Sequence, residues 1–283
     1  MPELPEVEVL ARHLRPLLIG KTIRAIEVRR EKVLLPTTTA NFKKVLRGAK
    51  FTGLQRRGKY LLFELRLQNS RKEILLLGHL GMTGRMLLAP KKTIPPKHTA
   101  VILNLGAQNF IYEDTRYFGR LTLDISSAEK LGLEPWNKTF TPEQFHKKLK
   151  ASRQAVKVKL LDQSLIAGVG NIYASEALFR AKISPRRAAN KISLARAGKL
   201  LSAIRDVMQE AIDCGSTIPL NFAAQKTDGL FYFGRAAGAP DYYEERLRVY
   251  DRAGKPCVNC NFPIKRVVQA ARSTFFCPQC QKD

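Results

Sequence analysis

The sequence predicts an α+β fold, built from blocks of different character, on three observations. One amphipathic helix pattern opens the chain, short alternating and apolar runs fill residues 21 to 125, and helical periodicity takes over from about residue 155.

The stretch PEVEVLARHLRPLLIG puts Val7, Leu10, Leu14 and either Leu17 or Leu18 on one helical face. Pro5 suits the first turn, where its missing N–H has no partner to lose, and Glu6 and Glu8 complement the positive end of the helix dipole. Arg12, His13 and Arg15 lie toward the other end, and Gly20 can form the cap. Helix electrostatics therefore account for Glu6 and Glu8 but not for Pro2 and Glu3, which come before the helix.

The next block contains KTIRAIEVRR, KYLLFELRL, KEILLLGHLG, TAVILNL, NFIYED and GRLTLDI, separated by turn signals such as RRGK, QNSRK and LGAQN. This reads as mostly antiparallel β, either a sandwich or a flattened barrel. The polar, proline-containing stretch SSAEKLGLEPWNKTFTPEQFHKKLKASRQ marks a domain junction. Helical patterns follow in AVKVKLLDQ, NIYASEALFRAKI and ISLARAGKLLSAIRDVMQEAIDCG, and the Gly-, Ala- and aromatic-rich segment from 216 to about 245 reads as a loop.

Charge narrows the function. With 49 Lys+Arg against 24 Asp+Glu the formal net charge is +25, which favours a polyanionic partner, nucleic acid first, over a basic housekeeping role or an anionic lipid surface. No apolar run approaches the roughly 18 residues of a membrane span, and the acidic start lacks the layout of a signal peptide. The chain is thus expected to be soluble and intracellular, its cysteines reduced or metal-bound.

Cys257, Cys260, Cys277 and Cys280 form two C-x2-C pairs separated by sixteen residues. Each pair can clasp a metal from a tight turn, and the spacer suits a β-hairpin that brings both pairs to one tetrahedral zinc. A site closed by four thiolates is structural. Its hairpin carries Lys265, Arg266 and Arg272, which present cations to phosphate, while Cys214 reads as an inert thiol. In LLDQSLIAGVGNIYASEALF, Gly168 and Gly170 flank a turn and Asn171 is placed to cap a helix from Ile172. Free N–H groups at such a helix start suit a phosphate.

Several of these stretches occur together, in order, in one known family. MPELPEVE, RRGKYLLF, GHLGMTGR, the Lys97–His98 pair, YEDTRYFGR, LLDQSLIAGVGNIYASEALF and the four-cysteine end resemble the formamidopyrimidine-DNA glycosylase family over nearly the whole chain. The endonuclease VIII branch shares the fold but typically has glycine where this chain has Leu4. The resemblance implies an N-terminal antiparallel β-sandwich with a leading helix over 1–134. It further implies a helix–two-turn–helix DNA-binding domain with a lesion loop over 135–245, and a zinc finger over 246–283.

The implied function is that of a bifunctional DNA glycosylase and AP lyase of base excision repair. It flips out and excises oxidised purines (8-oxoguanine, formamidopyrimidines) and then cleaves the strand by β,δ-elimination. Its partner is double-stranded DNA with oxidised bases or abasic sites, it carries one zinc, and it is a monomer in the cytoplasm or on the nucleoid. With Met1 removed, Pro2 exposes a secondary amine at the terminus. An α-amino group has a reference pKa of about 7.7–8.0 against about 10.4 for lysine, so more of it is free to attack a sugar C1′ at neutral pH. Glu3 is next to it as general acid, and Glu6 supports the pair.

The remaining roles rest on the resemblance alone. Lys59 and Arg272 match residues on the phosphates beside the lesion that assist elimination, and Asn171 matches a phosphate-binding asparagine. His98, Arg116 and Arg153 match DNA contacts, and Met82, Arg116 and Phe118 match the trio that fills the gap left by the flipped base. The chain departs from the family at Thr115 and Tyr117, where proline and arginine are usual, and more strongly over TIPLNFAAQKTDGLFYFGRAAGAPDYYEERLRVYDR, so lesion preference transfers least. Three other classes compete: an endonuclease VIII-like enzyme for oxidised pyrimidines, a non-catalytic damaged-DNA binder and an RNA-binding zinc ribbon. A terminal amine beside Glu3 and Lys59 favours catalysis, since binding alone does not require it.

Overall fold

In a computed structural model, which describes residues 2–68, 72–216 and 247–282, the leading helix α1 spans Leu4–Leu18. Val7, Leu10, Leu14 and Leu18 are buried while Leu17 is exposed, which decides between the two leucines. The chain separates into two compact units. The first contains Pro2 and Glu6–Glu129, and the second contains Glu3–Pro5, Lys130–Cys214 and the described part of Gly238–Asp283.

The first unit holds β1 (Ala25–Val28), a 3-10 turn (Glu31–Leu34), α2 (Thr39–Leu46), β2 (Lys50–Arg57) and β3 (Tyr60–Arg66). Next come β4 (Glu73–His79), β5 (Gly84–Pro90), β6 (Thr99–Asn104), β7 (Gln108–Asp114), β8 (Arg120–Thr122) and the short α3 (Ser126–Glu129). The strands form two four-stranded antiparallel sheets, ordered β1-β6-β7-β5 and β2-β3-β4-β8. On β3, alternation buries Leu61, Phe63 and Leu65. Phe63 meets Phe110 of β7 edge-on at 5.6 Å, so the inner faces of the two sheets share a core. Of the sandwich and flattened barrel, this is the sandwich.

Helix α2 and the 3-10 turn lie in a stretch read as mostly antiparallel β, where no helix was singled out. Thr38 caps α2 by accepting the Asn41 N–H, and Phe42 and Leu46, four residues apart, are buried. The β-branched run Thr37–Thr39 conceals that cap among strand-like residues.

The second unit is helical and ends in a hairpin. Helix α4 (Pro142–Lys150) starts at a Thr141 cap, and together with α3 it occupies the stretch read as a junction. After it come α5 (Val156–Leu160), α6 (Asn171–Arg180), a 3-10 turn (Ala189–Lys191) and α7 (Leu194–Ser216). Helix α6 is buried from Tyr173 to Phe179, which makes it the core of its unit. Strands β9 (Lys265–Gln269) and β10 (Arg272–Phe276) form an antiparallel hairpin, as the cysteine spacing predicts. Its core joins Ile264, Phe275, Cys257 and Cys277 to Phe179 and Val249. The loop expected from 216 to about 245 lies outside the described residues except for Ser216, which is still the last residue of α7. Among the described residues no helix is long and apolar enough to cross a membrane.

Candidate active site

In the second unit the site is built around the start of α6. Glu3 is 2% exposed, and its carboxylate accepts the Ile172 N–H at 2.8 Å and the Tyr173 N–H at 3.3 Å. The Leu4 N–H donates to the Gly168 carbonyl at 3.2 Å. The two glycines make room for this tip. Gly168 sits at φ 94°, a Cβ there would come within 2.4 Å of the Leu4 side chain, and a Cβ on Gly170 would come within 2.3 Å of the Glu3 carboxyl carbon. The Gly–Val–Gly turn is therefore a socket for residues 3 and 4.

This corrects two expectations. Asn171 is the first residue of α6 and does not cap it; Gly170 holds the cap position without a side-chain bond. Glu3 instead satisfies the helix's leading N–H groups, the ones expected to face a phosphate.

Asn171 is thereby free to work sideways. Its amide donates to the Ser273 carbonyl at 2.9 Å, and its side-chain oxygen accepts a bond from the Lys157 ammonium, which also reaches the Ser273 carbonyl at 3.5 Å. Arg272, next in the chain, is exposed at the start of β10. Burial, and then the Arg272 charge, push the Lys157 pKa down to about 8, against an opposing pull from Glu3. Tyr250 also hydrogen-bonds Asn171, and burial pushes its phenol pKa up. Its backbone is held by Glu176, whose carboxylate accepts the N–H groups of Arg248, Val249 and Tyr250. The sequence reading named neither Lys157 nor Tyr250. A lysine among Val156 and Leu160, both buried, was the available signal for the first. Arg153 is exposed between α4 and α5.

The four cysteines meet as expected. Their sulfurs all lie within 4.8 Å of one another, with Cys257–Cys280 at 3.9 Å and Cys260–Cys277 at 3.5 Å. A tetrahedral zinc with Zn–S bonds of about 2.3 Å needs sulfurs about 3.8 Å apart, so the donor set fits one structural zinc.

In the first unit, Pro2 and Glu6 are buried. Lys59 is 8% exposed and follows Gly58 in the β2–β3 turn, where the Gly58 carbonyl accepts Arg56 Nη1 at 3.2 Å. Arg56 is held in turn by Glu8 at 2.7 Å. Near Lys59, burial and the charges of Lys59 and Arg120 lower the His79 pKa to about 4, so this imidazole is neutral at physiological pH. His98 is half-buried, and its carbonyl accepts the Asp114 N–H at 3.1 Å.

Met82, Arg116 and Phe118 come together at the surface of this unit. The Arg116 guanidinium lies 4.9 Å from the Phe118 ring centroid and points one nitrogen at the Met82 sulfur, 3.6 Å away. Phe118 is 50% exposed and Met82 37% exposed, so neither is the sheet-core residue its apolar character alone would suggest. Beneath them, fully buried Asp114 accepts the Gly119 N–H at 2.8 Å, the Arg116 N–H at 3.2 Å and the Thr83 hydroxyl at 2.6 Å.

A β-sandwich followed by a helical unit and a four-cysteine hairpin, with an arginine packed against two exposed apolar side chains at one surface, is an architecture suited to a DNA-processing protein. The comparisons narrow the class. Residues 1–121 match the formamidopyrimidine-DNA glycosylase N-terminal domain, residues 131–221 that glycosylase's H2TH domain, and residues 254–282 the zinc finger found in FPG and IleRS. The chain is 40% identical to the formamidopyrimidine-DNA glycosylase of Carboxydothermus hydrogenoformans, over all of both chains. It is 39% identical to that of Thermus thermophilus, over 99% of this chain and 98% of the other. Among solved structures it matches a Lactococcus lactis FPG mutant in complex with Fapy-dG DNA, at TM-score 0.87 and 32% identity over all of both chains. It also matches the Lactococcus lactis Fpg with abasic-site DNA, at TM-score 0.86 and 32% identity over 99% of this chain and all of the other. The chain belongs to the formamidopyrimidine-DNA glycosylase family.

Proposed function

We propose that the chain is a bifunctional DNA glycosylase and AP lyase that excises oxidised purines from double-stranded DNA and then cuts the strand at the abasic site. The observation that carries this reading is the seating of Glu3: a carboxylate one residue from Pro2, fixed by two N–H groups of α6. A side chain held this way keeps one position through a reaction. The solved relatives bound to Fapy-dG and abasic-site DNA support the substrate class.

In the proposed reaction the neutral Pro2 nitrogen attacks C1′ and the N-glycosyl bond breaks, its electron pair leaving with the base, which takes up the proton that the Pro2 nitrogen gives up. Glu3 donates a proton as the sugar ring opens, Glu6 supports the pair, and the resulting iminium acidifies the C2′–H. Loss of that proton expels the 3′ phosphate, and a second elimination expels the 5′ phosphate. Lys59 and Arg272 hold these phosphates and Asn171 a neighbouring one, while His98 and Arg153 contact the flanking backbone. Met82, Arg116 and Phe118 fill the gap left by the flipped base. The cysteine-bound zinc supplies no chemistry and holds the hairpin that carries Arg272. We place the functional domains at 1–134, 135–245 and 246–283, and the protein as a monomer in the cytoplasm or on the nucleoid.

Borohydride trapping on duplex carrying 8-oxoguanine opposite cytosine tests this. The expected product is a covalent protein–DNA adduct that maps to the N-terminal peptide. An adduct on Lys59, or none with intact Pro2, rejects the mechanism; specific binding without an adduct supports the non-catalytic alternative.

A further inference from the structure

Tyr117 stands between Arg116 and Phe118, at a position where arginine was expected, and its backbone lies at φ 53°. The left-handed region is rarely held by a bulky residue unless its surroundings impose it. Two sets of contacts impose it here. Asp114 fixes the backbone on either side through the N–H groups of Arg116 and Gly119. Tyr117 itself does not join the Arg116–Phe118 pair. Its hydroxyl accepts Arg30 Nε at 3.2 Å, and the Arg30 guanidinium carbon lies 5.6 Å from the ring centroid. Arg30 is anchored in its turn, since the Arg29 and Arg30 N–H groups donate to the Ala100 carbonyl of β6 at 2.8 and 3.2 Å. The middle of the wedge-bearing turn is therefore tied to the sheet through one cation–aromatic pair.

We propose that the Arg30–Tyr117 pair is a specificity-determining brace, which presents Arg116 and Phe118 as one preformed element and so sets how sharply damaged duplex is told from intact duplex. The inference rests on the reading of Arg116 and Phe118 as gap-filling residues. Tyr117 and Arg30 are positioning residues in it, acting through their neighbours. An unbraced turn would have to order on insertion, and that entropy would be charged to the damaged complex alone.

The test uses the full chain with its metal. Affinities are measured for abasic-analogue and intact duplexes, with 2-aminopurine opposite the lesion to report insertion into the stack. Tyr117→Gly suits the observed φ and is expected to fold at least as well, yet its damaged-to-intact affinity ratio should fall about fivefold, with a weaker 2-aminopurine response. Arg30→Ala should match it, and the double variant should fall no further, because both substitutions remove one interaction. Tyr117→Phe keeps the ring against the guanidinium and should lose less than about twofold. Unchanged ratios in Tyr117→Gly and Arg30→Ala overturn the brace if Arg116→Ala lowers the ratio. Equal weakening of both duplexes by Arg30→Ala also overturns it, marking Arg30 as a phosphate contact. An unchanged ratio in Arg116→Ala overturns the gap-filling reading beneath it.

Discussion

In the proposed mechanism Glu3 performs two tasks with one carboxylate, because the oxygens that would serve proton transfer also close the start of α6. Glu3→Gln keeps an oxygen that can accept one of those N–H groups but removes the acid. Binding to lesion duplex is expected to persist while single-turnover excision falls about a hundred- to ten-thousand-fold. Excision within a few-fold of wild type would leave Glu3 as a helix cap only. Lys157 gives a second expectation at this scale. Its folded pKa is lowered to about 8, so the folded state holds this proton less tightly than the unfolded chain does. The resulting penalty is present below pH 8 and is relieved as pH rises toward the unfolded value, so Lys157 favours folding at higher pH. A phosphate held at Asn171, as proposed, would act the other way by stabilising the neighbouring ammonium. DNA binding should therefore take up a proton near pH 8, seen as buffer-dependent heat in calorimetry, and Lys157→Met should reduce that uptake. Equal uptake in both proteins would dissociate Lys157 from the phosphate site.

Among the elements, the finger hairpin is held at both ends. The sulfurs gather at its base, and its tip is a two-residue turn of Ala270 and Ala271, both at positive φ (47° and 58°). Such a turn normally takes Asn-Gly, because β-carbons make it costly. A scaffold under that strain depends on its other anchor. Cys277→Ser is expected to release the zinc in metal analysis and to lose most DNA affinity with it; tight binding by metal-free protein would make the finger accessory. The cysteine spacing gave away the finger, the turn residues did not, and the difference is physical. Ligand chemistry restricts which residues can serve, whereas a turn strained by its surroundings leaves no mark in composition. Helix α1 and the strands were legible for a similar reason, since their apolar periods match the faces they bury. Helix α2 was missed because a Thr-rich cap resembles a strand. The socket for Glu3 was missed because its partners lie 169 and 170 residues away, beyond the reach of any local pattern.

For the whole molecule, a net charge of +25 gives attraction to any duplex, so discrimination has to come from a few residues acting against that background. Arg272 is exposed beside Ser273, whose carbonyl Asn171 and Lys157 both engage, whereas Arg116 pairs with Phe118 and Met82. Arg272→Ala is expected to weaken damaged and intact duplex alike and to flatten the salt slope of binding by about 0.9. Arg116→Ala is expected to lower chiefly the preference for damage. Anisotropy over a salt series with both duplexes checks the pair, and a reversed pattern would exchange the two assignments.

The anchoring of Glu3 on α6 also bears on how the protein emerges from the ribosome. Its partners are translated 169 and 170 residues after it, and Ser273, which braces Asn171, a further hundred or so residues later. At ordinary elongation rates of about 5–20 residues per second, residues 3 and 4 wait roughly 8 to 34 seconds without their seat. A nascent chain can complete much of its β-sandwich in that time while residues 3 and 4 stay unseated, so the anchoring of Glu3 comes late in the making of the protein.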